Sequence, residues 1–509
     1  MALSKFNRLY RLGSRIFGRL GIKASEEQIK DFLKWCSKDM WDKYTESRTQ
    51  KRTVIENEIR ALNLRLPNGT VNKEYKFSFS LPKAKVWQFM LSGLDDLGLS
   101  SKITQDDNKY DCSISGKPVK AGDFNLKLRY KPTGWIQGEP YSEQDLPIAF
   151  NADPRSLWKD KPTPTDIPFL KPDTDCAYIK VEAGKDGSPR KDIVAASKRG
   201  RSHAHEAKPR DDHFMVSHCE ESDWYILAVA DGAGSAKYSR RGSEIACQCV
   251  TDFCRQKLSD CGEFEAKIRA YYECTAQAVR AKDAPEPSEP ESGTKDSGEA
   301  AAAGEAAARK EMGVQIYNIV GNAAFKAYSE ICAESEKNAK ELQCKLKDFS
   351  TTLMFAICKK FEFGWFVASF WVGDGAMCIY NENKQTAKLL GEPDEGEFSG
   401  QTRFLTMPEI FKDAASVFSR LRFSIEDDFT ALMLMTDGVS DPMFETDRNL
   451  NDYSKWNEFW NKIKEGFPDD GIPGVDLRDD NPEAKDQLLR WMDFWSAGNH
   501  DDRTLAILY

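Results

Sequence analysis

The stretch Trp224-Tyr225-Ile226-Leu227-Ala228-Val229-Ala230-Asp231-Gly232-Ala233-Gly234 decides the reading of the C-terminal region. Seven apolar residues in a row, closed at once by Asp-Gly, read as a strand covered on both faces and ending in a sharp turn. An aspartate there stands on a rigid base, and the glycine lets the chain turn away from it. The same pattern recurs at Val372-Gly373-Asp374-Gly375-Ala376 and at Met435-Thr436-Asp437-Gly438-Val439-Ser440-Asp441. A further acidic turn, Asn499-His500-Asp501-Asp502-Arg503-Thr504, precedes the last apolar run, and Arg210-Asp211-Asp212-His213 precedes the first.

Any one Asp-Gly is a turn signal before it is a ligand. The set carries the weight. Several aspartates converging on one sheet edge repel one another unless cations lie between them. Hard oxygen ligands in that number suit Mg2+ or Mn2+. No Gly-Lys-Ser/Thr phosphate loop and no Gly-x-Gly-x-x-Gly after a strand offers a competing site.

The order Arg-Asp-Asp, Asp-Gly-x-Gly, Thr-Thr-Leu (351–353), Gly-Asp-Gly, Thr-Asp-Gly-Val-Ser-Asp and Asp-Asp-x-Thr resembles the metal-dependent protein phosphatases of the PP2C type. Gly200-Arg201-Ser202-His203 with Lys208-Pro209 resembles the start of the bacterial branch. The resemblance spans 190–509. It implies an α+β fold, an αββα sandwich of two stacked antiparallel sheets with helices outside, and a two-metal site between the sheet edges. It further implies that Asp231 touches both metals, joined by the Gly232 carbonyl. Asp437 and Asp501 complete one metal, and Asp211 and Asp212 hold the waters of the other. Asp374 matches the position of a third, weaker metal shared with Asp437, and Asp441 and Asp502 are supporting carboxylates. The implied reaction is hydrolysis of phosphoserine and phosphothreonine in proteins by a metal-activated water, with no Cys or Ser nucleophile. Thr351 and Thr352 match a structural strand and are assigned no chemistry. Two positions depart from the family. Ala233 stands where many eukaryotic members carry a histidine. The candidates for binding phosphate are Arg201, His203 and Arg210, none at the usual spacing.

Around these motifs, residues 241–282 and 312–348 read as two long helices. Between them, 283–309 has no apolar residue except alanine and carries Pro285, Pro287 and Pro290, so it reads as a disordered insertion.

The N-terminal part follows other periods. Residues 26–63 place Ile29, Phe32, Leu33, Cys36, Met40, Trp41 and Tyr44 at helical steps. Tyr75-Lys76-Phe77-Ser78-Phe79-Ser80-Leu81 and Phe124-Asn125-Leu126-Lys127-Leu128-Arg129-Tyr130 alternate strictly, as half-buried strands do. Residues 64–132 therefore read as a small β-sandwich. Leu66-Pro67-Asn68-Gly69-Thr70-Val71, Ile114-Ser115-Gly116-Lys117-Pro118 and Ala121-Gly122-Asp123-Phe124 make it resemble immunoglobulin-like, cadherin-like bacterial modules, which implies a spacer or docking role. Residues 133–189, rich in proline, read as a linker to a domain at 190–509.

Residues 1–63 read as a helical N-terminal region. Its first 25 residues carry Lys5, Arg8, Arg11, Arg15, Arg19 and Lys23 and no acid. Charges interrupt any apolar core, so this is not an export signal. A basic amphipathic helix fits an anionic membrane surface, but packing on its own protein is the reading preferred here, with Phe6, Leu9, Ile16, Phe17 and Leu20 on the inner face.

The net charge of −9 is diffuse and argues against nucleic-acid binding by the chain as a whole. No apolar run reaches the length of a membrane span. Thirteen scattered cysteines, an odd number without Cys-x-x-Cys, suit reduced thiols in the cytoplasm. The expected partners are phosphorylated proteins, including a serine/threonine kinase or its targets. The alternative is a catalytically weak PP2C-like scaffold. A surface adhesin is disfavoured by the missing export signal.

Overall fold

The computed structural model describes residues 2–184, 187–282, 295–393 and 402–509. The chain divides into two compact units, Met1–Leu157 and Trp158–Tyr509.

In the first unit a helix, Ala2–Arg19, leads into a 36-residue helix, Glu26–Ala61. Ser25 starts the second helix with a capping box. Its hydroxyl accepts from the Gln28 amide, and the Gln28 side chain accepts from the Ser25 amide. A β-sandwich follows. One sheet holds Gly69–Thr70, Ser142–Asn151, Gly122–Pro132 and Val86–Ser92 in that order. The other holds Tyr75–Pro82, Lys109–Gly116 and Leu99–Gln105. Tyr75, Phe79, Leu81, Leu126, Leu128 and Tyr130 share one core, with Ile59 of the long helix packed into it. The sandwich does not stop at 132. Ser142–Asn151 lies second in the order of its first sheet, although Pro147 lies within it. At Pro147 that strand pairs with Asn125 but has no paired strand on its other side among the described residues, because Gly69–Thr70 reaches only residues 150–151. Proline is tolerated at such an open stretch.

The second unit stacks two antiparallel sheets. The first runs His213–Cys219, Trp224–Ala230, Leu353–Phe361, Gly364–Val372, Leu421–Glu426. The second runs Thr386–Leu389, Ala376–Asn381, Ala431–Met435, Arg503–Leu508, Ile193–Lys198, Thr174–Ile179. Tyr225, Leu227 and Val229 pack toward the second sheet, against a layer that includes Met377, Leu432, Leu434 and Ala506. Trp224, Ile226, Ala228 and Ala230 pack the other way, against helices at 239–338. The second sheet is backed by Asp437–Phe444, Tyr453–Glu465 and Ala484–Trp491. Both faces of the central strands are covered, which is why they read as unbroken apolar runs. The result is the expected αββα layering.

Three boundaries differ from the sequence reading. The expected linker 133–189 belongs to the two units, split at Leu157 and Trp158. Its second half is clasped by charged side chains. Arg199 donates to Asp160 and to the Lys161 carbonyl, and Arg240 donates to the Pro168 and Phe169 carbonyls. Thr174–Ile179 then forms the edge strand of the second sheet. The helix expected over 241–282 breaks at 259–261 into Ser239–Leu258 and Gly262–Lys282. Of the expected disordered insertion 283–309, residues 283–294 lie outside the described residues. Residues 295–309 begin the helix Lys295–Ile316, an Ala- and Glu-rich run of high helix propensity. It packs on Gly262–Lys282, with Lys267 and Glu311 paired at 2.6 Å. That helix continues through one π turn, Tyr317–Gly321, into Asn322–Asn338.

Candidate functional site

Antiparallel pairing explains why distant aspartates meet. Ala230 pairs with His213, so Asp231, just after one strand, lies beside Asp212, just before the other. Met435 pairs with Leu505, so Asp437 lies near Asp501 and Asp502. Asp374 follows the Gly364–Val372 strand at the same end. Carboxylate oxygens of Asp231, Asp374 and Asp437 come within 4.8 Å of one another, and so do ligand atoms of His203, Asp501 and Asp502. Two glycines permit this closeness. A Cβ on Gly232 would stand 2.7 Å from the Asp211 carbonyl oxygen, and one on Gly438 would stand 1.9 Å from the Asp502 carbonyl oxygen.

The backbone of Asp231 is pinned from both sides. Its amide donates to Thr352 Oγ1 at 2.8 Å, and its carbonyl accepts from Thr351 Oγ1 at 2.7 Å and from the Thr352 amide at 2.8 Å. Asp212 is fully buried. Its Oδ2 accepts from Thr436 Oγ1 at 2.8 Å and from Thr504 Oγ1 at 2.7 Å. Thr504 in turn contacts Ser197. Asp502 is the hub of an inner group. Its Oδ1 accepts from the Gly200 amide at 2.6 Å, and its Oδ2 accepts from the Asp211 amide at 2.6 Å and contacts His203 Nδ1 at 3.0 Å. Asp501 accepts from the Asp502 amide at 2.8 Å.

Electrostatics follow from these partners. Burial raises Asp231 and Asp437 well above the usual carboxylate range, and neighbouring carboxylates add to it: Asp437 acts on Asp231, and Asp374 on Asp437. Burial, then Asp502, pushes Asp212 up to about 7 and Asp211 up to about 6. Asp441 rises to about 6 through burial and then Asp374. Asp501 is raised by burial and Asp502. Asp502 goes the other way. Burial opposes its charge, but His203 and the amides at Gly200 and Asp211 outweigh that and lower its pKa. For His203, burial works against the proton, yet Asp502 and Asp211 raise the pKa to about 9.

The expected phosphate binders face the protein instead. Arg201 donates to the Phe494 carbonyl at 3.0 Å and the Asp493 carbonyl at 2.5 Å. His203 sits between Asp502 and Asp211, the latter 4.0 Å from Nε2. Arg210 is buried, donates to the Pro172 carbonyl and lies 3.9 Å from Asp175. The structure does not bring these three together at the mouth formed by Asp231, Asp374 and Asp437.

Several contributors were missed from sequence. Thr352 aims Asp231, and Thr436 and Thr504 orient Asp212. Their signal was present, since Thr436 directly precedes Asp437 and Thr504 closes Asp-Asp-x-Thr. Lys171 had none, lying among prolines. It is buried, and its Nζ donates to the Asp212 carbonyl at 2.8 Å and more weakly to the Asp211 carbonyl at 3.4 Å. Burial, with Arg210 nearby, lowers its pKa to about 8.

Carboxylate fit to a metal can be tested on unmet hydrogen bonds. Oδ1 of Asp211, Asp212, Asp374 and Asp437 is buried without a hydrogen-bond donor. A buried oxygen anion is left so only at a cost. The donor set is all hard oxygen, which suits Mg2+ and Mn2+. The residues present fit such ions.

Residues 199–472, more than half of the chain, match the sequence profile of the family described as protein phosphatase 2C. The chain belongs to this family of protein serine/threonine phosphatases, which use divalent metals. Among solved structures it is similar to a bacterial serine phosphatase, at 13% identity over 62% of this chain and 96% of that one, with a TM-score of 0.32. It is similar to the serine/threonine phosphatase Stp1 from Staphylococcus aureus, at 12% identity over 67% and 96%, TM-score 0.30. The catalytic domain of the serine threonine protein phosphatase PstP, in complex with two manganese ions, matches at 12% identity over 62% and 96%, TM-score 0.32. No curated protein matches the chain. No helix among the described residues is long and apolar enough to cross a membrane.

Proposed function

We propose that the chain hydrolyses phosphoserine and phosphothreonine in proteins, with water as the nucleophile, at a site holding two divalent cations, Mn2+ or Mg2+. The observation that carries this reading is the set of donorless carboxylate oxygens on Asp211, Asp212, Asp374 and Asp437 beside Asp231 at one sheet end. Asp231, joined by the Gly232 carbonyl, would help hold both ions, and Asp437 and Asp501 would complete one of them. Asp211 and Asp212 would hold the waters of the other, and Asp374 with Asp437 would take a third, weaker one. Bound there, the ions would lower the pKa of a water and neutralise the phosphoryl oxygens.

The chain's own residues do the positioning. Thr351 and Thr352 fix the Asp231 backbone, so its Cα stands in one place at the strand end. Thr436 and Thr504 occupy Oδ2 of Asp212 and leave Oδ1 free to hold a water of the cation. Asp502, paired with His203, ties the Gly200 and Asp211 backbones together. Such fixed donors and acceptors cost no reorganisation during the reaction. The substrates are products of a serine/threonine kinase, or the kinase itself, in the cytoplasm, and the N-terminal sandwich serves as an immunoglobulin-like spacer or docking module.

The test is phosphate release from a phosphothreonine peptide by the full chain. Release with Mn2+, lost in EDTA and restored by excess Mn2+, is the expected result. EDTA-resistant release would overturn the two-metal reading. Mn2+-loaded protein without any release would favour the scaffold alternative.

A further inference from the structure

The first helix, Ala2–Arg19, packs on the second by a narrow strip. Gly13 is buried where its Cα faces Ile29 and Leu33, and Phe17 meets Phe32 edge-on at 4.8 Å. The sequence reading placed Ile16 and Leu20 on this inner face. The structure instead leaves Leu12 54%, Ile16 38%, Leu20 66% and Ile22 51% exposed. At 100° per residue, Leu12, Ile16 and Leu20 form an arc directly beside the strip that packs. On the other side of that arc lie Arg11, Arg15 and Arg19, all exposed, and exposed Lys23 follows just beyond the helix. The outward surface is therefore a row of large aliphatic side chains flanked by a row of cations. The first acid in the chain is Glu26.

We infer that this face docks on an anionic phospholipid bilayer. Each half of the pattern has a match there. The cations meet lipid phosphates and carboxylates at headgroup level, and the aliphatic row enters the acyl boundary just below. Long arginine stems bridge the two levels, with their apolar carbons lying along the boundary. A nucleic acid would satisfy the arginines and leave Leu12, Ile16 and Leu20 in water. The adjoining strip, Gly13 and Phe17, is already covered by the second helix, so the hairpin presents its outward face without unfolding. The inference does not depend on the catalytic reading, since no residue of the site takes part.

The experiment is co-sedimentation of the full chain with vesicles of phosphatidylcholine alone and of phosphatidylcholine with phosphatidylserine. Two triple variants accompany it, Arg11→Glu/Arg15→Glu/Arg19→Glu and Leu12→Ser/Ile16→Ser/Leu20→Ser. All six positions are exposed, and far-UV circular dichroism checks that both variants keep their helix content. The wild type is expected to bind phosphatidylserine vesicles in preference, with partitioning falling as salt rises. Each triple variant should lose at least about tenfold in partitioning. Peptide hydrolysis in solution should be the same for all three proteins. Equal binding to both vesicle types, no binding, or a variant that binds like wild type would overturn the inference. Capture on polyglutamate beads without vesicle binding would assign the face to an acidic protein and overturn it too.

Discussion

Two groups of carboxylates lie within one sheet end and live under opposite conditions. Asp502 is buried and saturated. Its oxygens take three amides and one imidazole, and His203 beside it keeps a proton. Asp231, Asp374 and Asp437 at the mouth face one another, and Oδ1 of Asp374 and Asp437 has no donor. Asp502 is lowered in pKa, and Asp231 and Asp437 are raised. The inner group is thus complete as protein. The mouth is a set of like charges that is relieved by protons or by an external cation. Under the proposed reaction, structure and function divide along this line.

The largest expected effect breaks the mouth. Asp231→Asn and Asp437→Asn keep size and remove one charge. Under the proposed reaction each should lose about 4 kcal/mol of transition-state stabilisation, a rate loss of roughly 10³ with the peptide substrate. Metal-free thermal stability should hold or rise, because one repelling carboxylate is gone. A variant that turns over at the wild-type rate would remove Asp231 or Asp437 from the chemistry.

Asp502→Ala attacks the inner group and should behave in reverse. It strands the His203 cation and three buried amides, which should cost about 3 kcal/mol of folding stability. The loss should appear in urea unfolding with EDTA as well as with Mn2+. If Asp502→Ala matched wild type in EDTA and differed only with Mn2+, the two groups would not be separate in kind.

The same division explains what was legible in the sequence. The mouth aspartates announce themselves, since each sits in an Asp-Gly turn beside an apolar strand. The layers were legible too, because strands covered on both faces have no polar side to disguise them. What escaped depends on contacts between distant segments. Lys171 looked like part of a linker because its value lies in the carbonyls of Asp211 and Asp212, about 40 residues away in sequence. Proline content marked 133–189 as irregular, which most of it is. It said nothing about Arg199 and Arg240 holding the second half against the domain. Arg201, chosen for its place in a motif, is turned to carbonyls at 493 and 494 that no local reading could supply.

The smallest effect sharpens the comparison by pH. Asp212 and Asp211 titrate at about 7 and about 6 in the folded protein, against about 3.9 in the unfolded chain. Between those limits the folded state binds more protons than the unfolded one. Unfolding free energy from these two groups therefore falls as pH rises from about 4 to about 7, and is flat above it. Metal-free protein should be less stable at pH 8 than at pH 5 by this contribution, and Asp212→Asn should flatten the difference. Mn2+ should reverse the order, because the cation binds the deprotonated carboxylates and competes with protons below pH 6. The measurement is the urea midpoint at the two pH values, with EDTA and with Mn2+, for wild type and Asp212→Asn. A wild-type midpoint that rises from pH 5 to pH 8 in EDTA, with no change in that slope for Asp212→Asn, would show that repulsion among the carboxylates around Asp212 is relieved within the protein itself, and the division drawn here would fail.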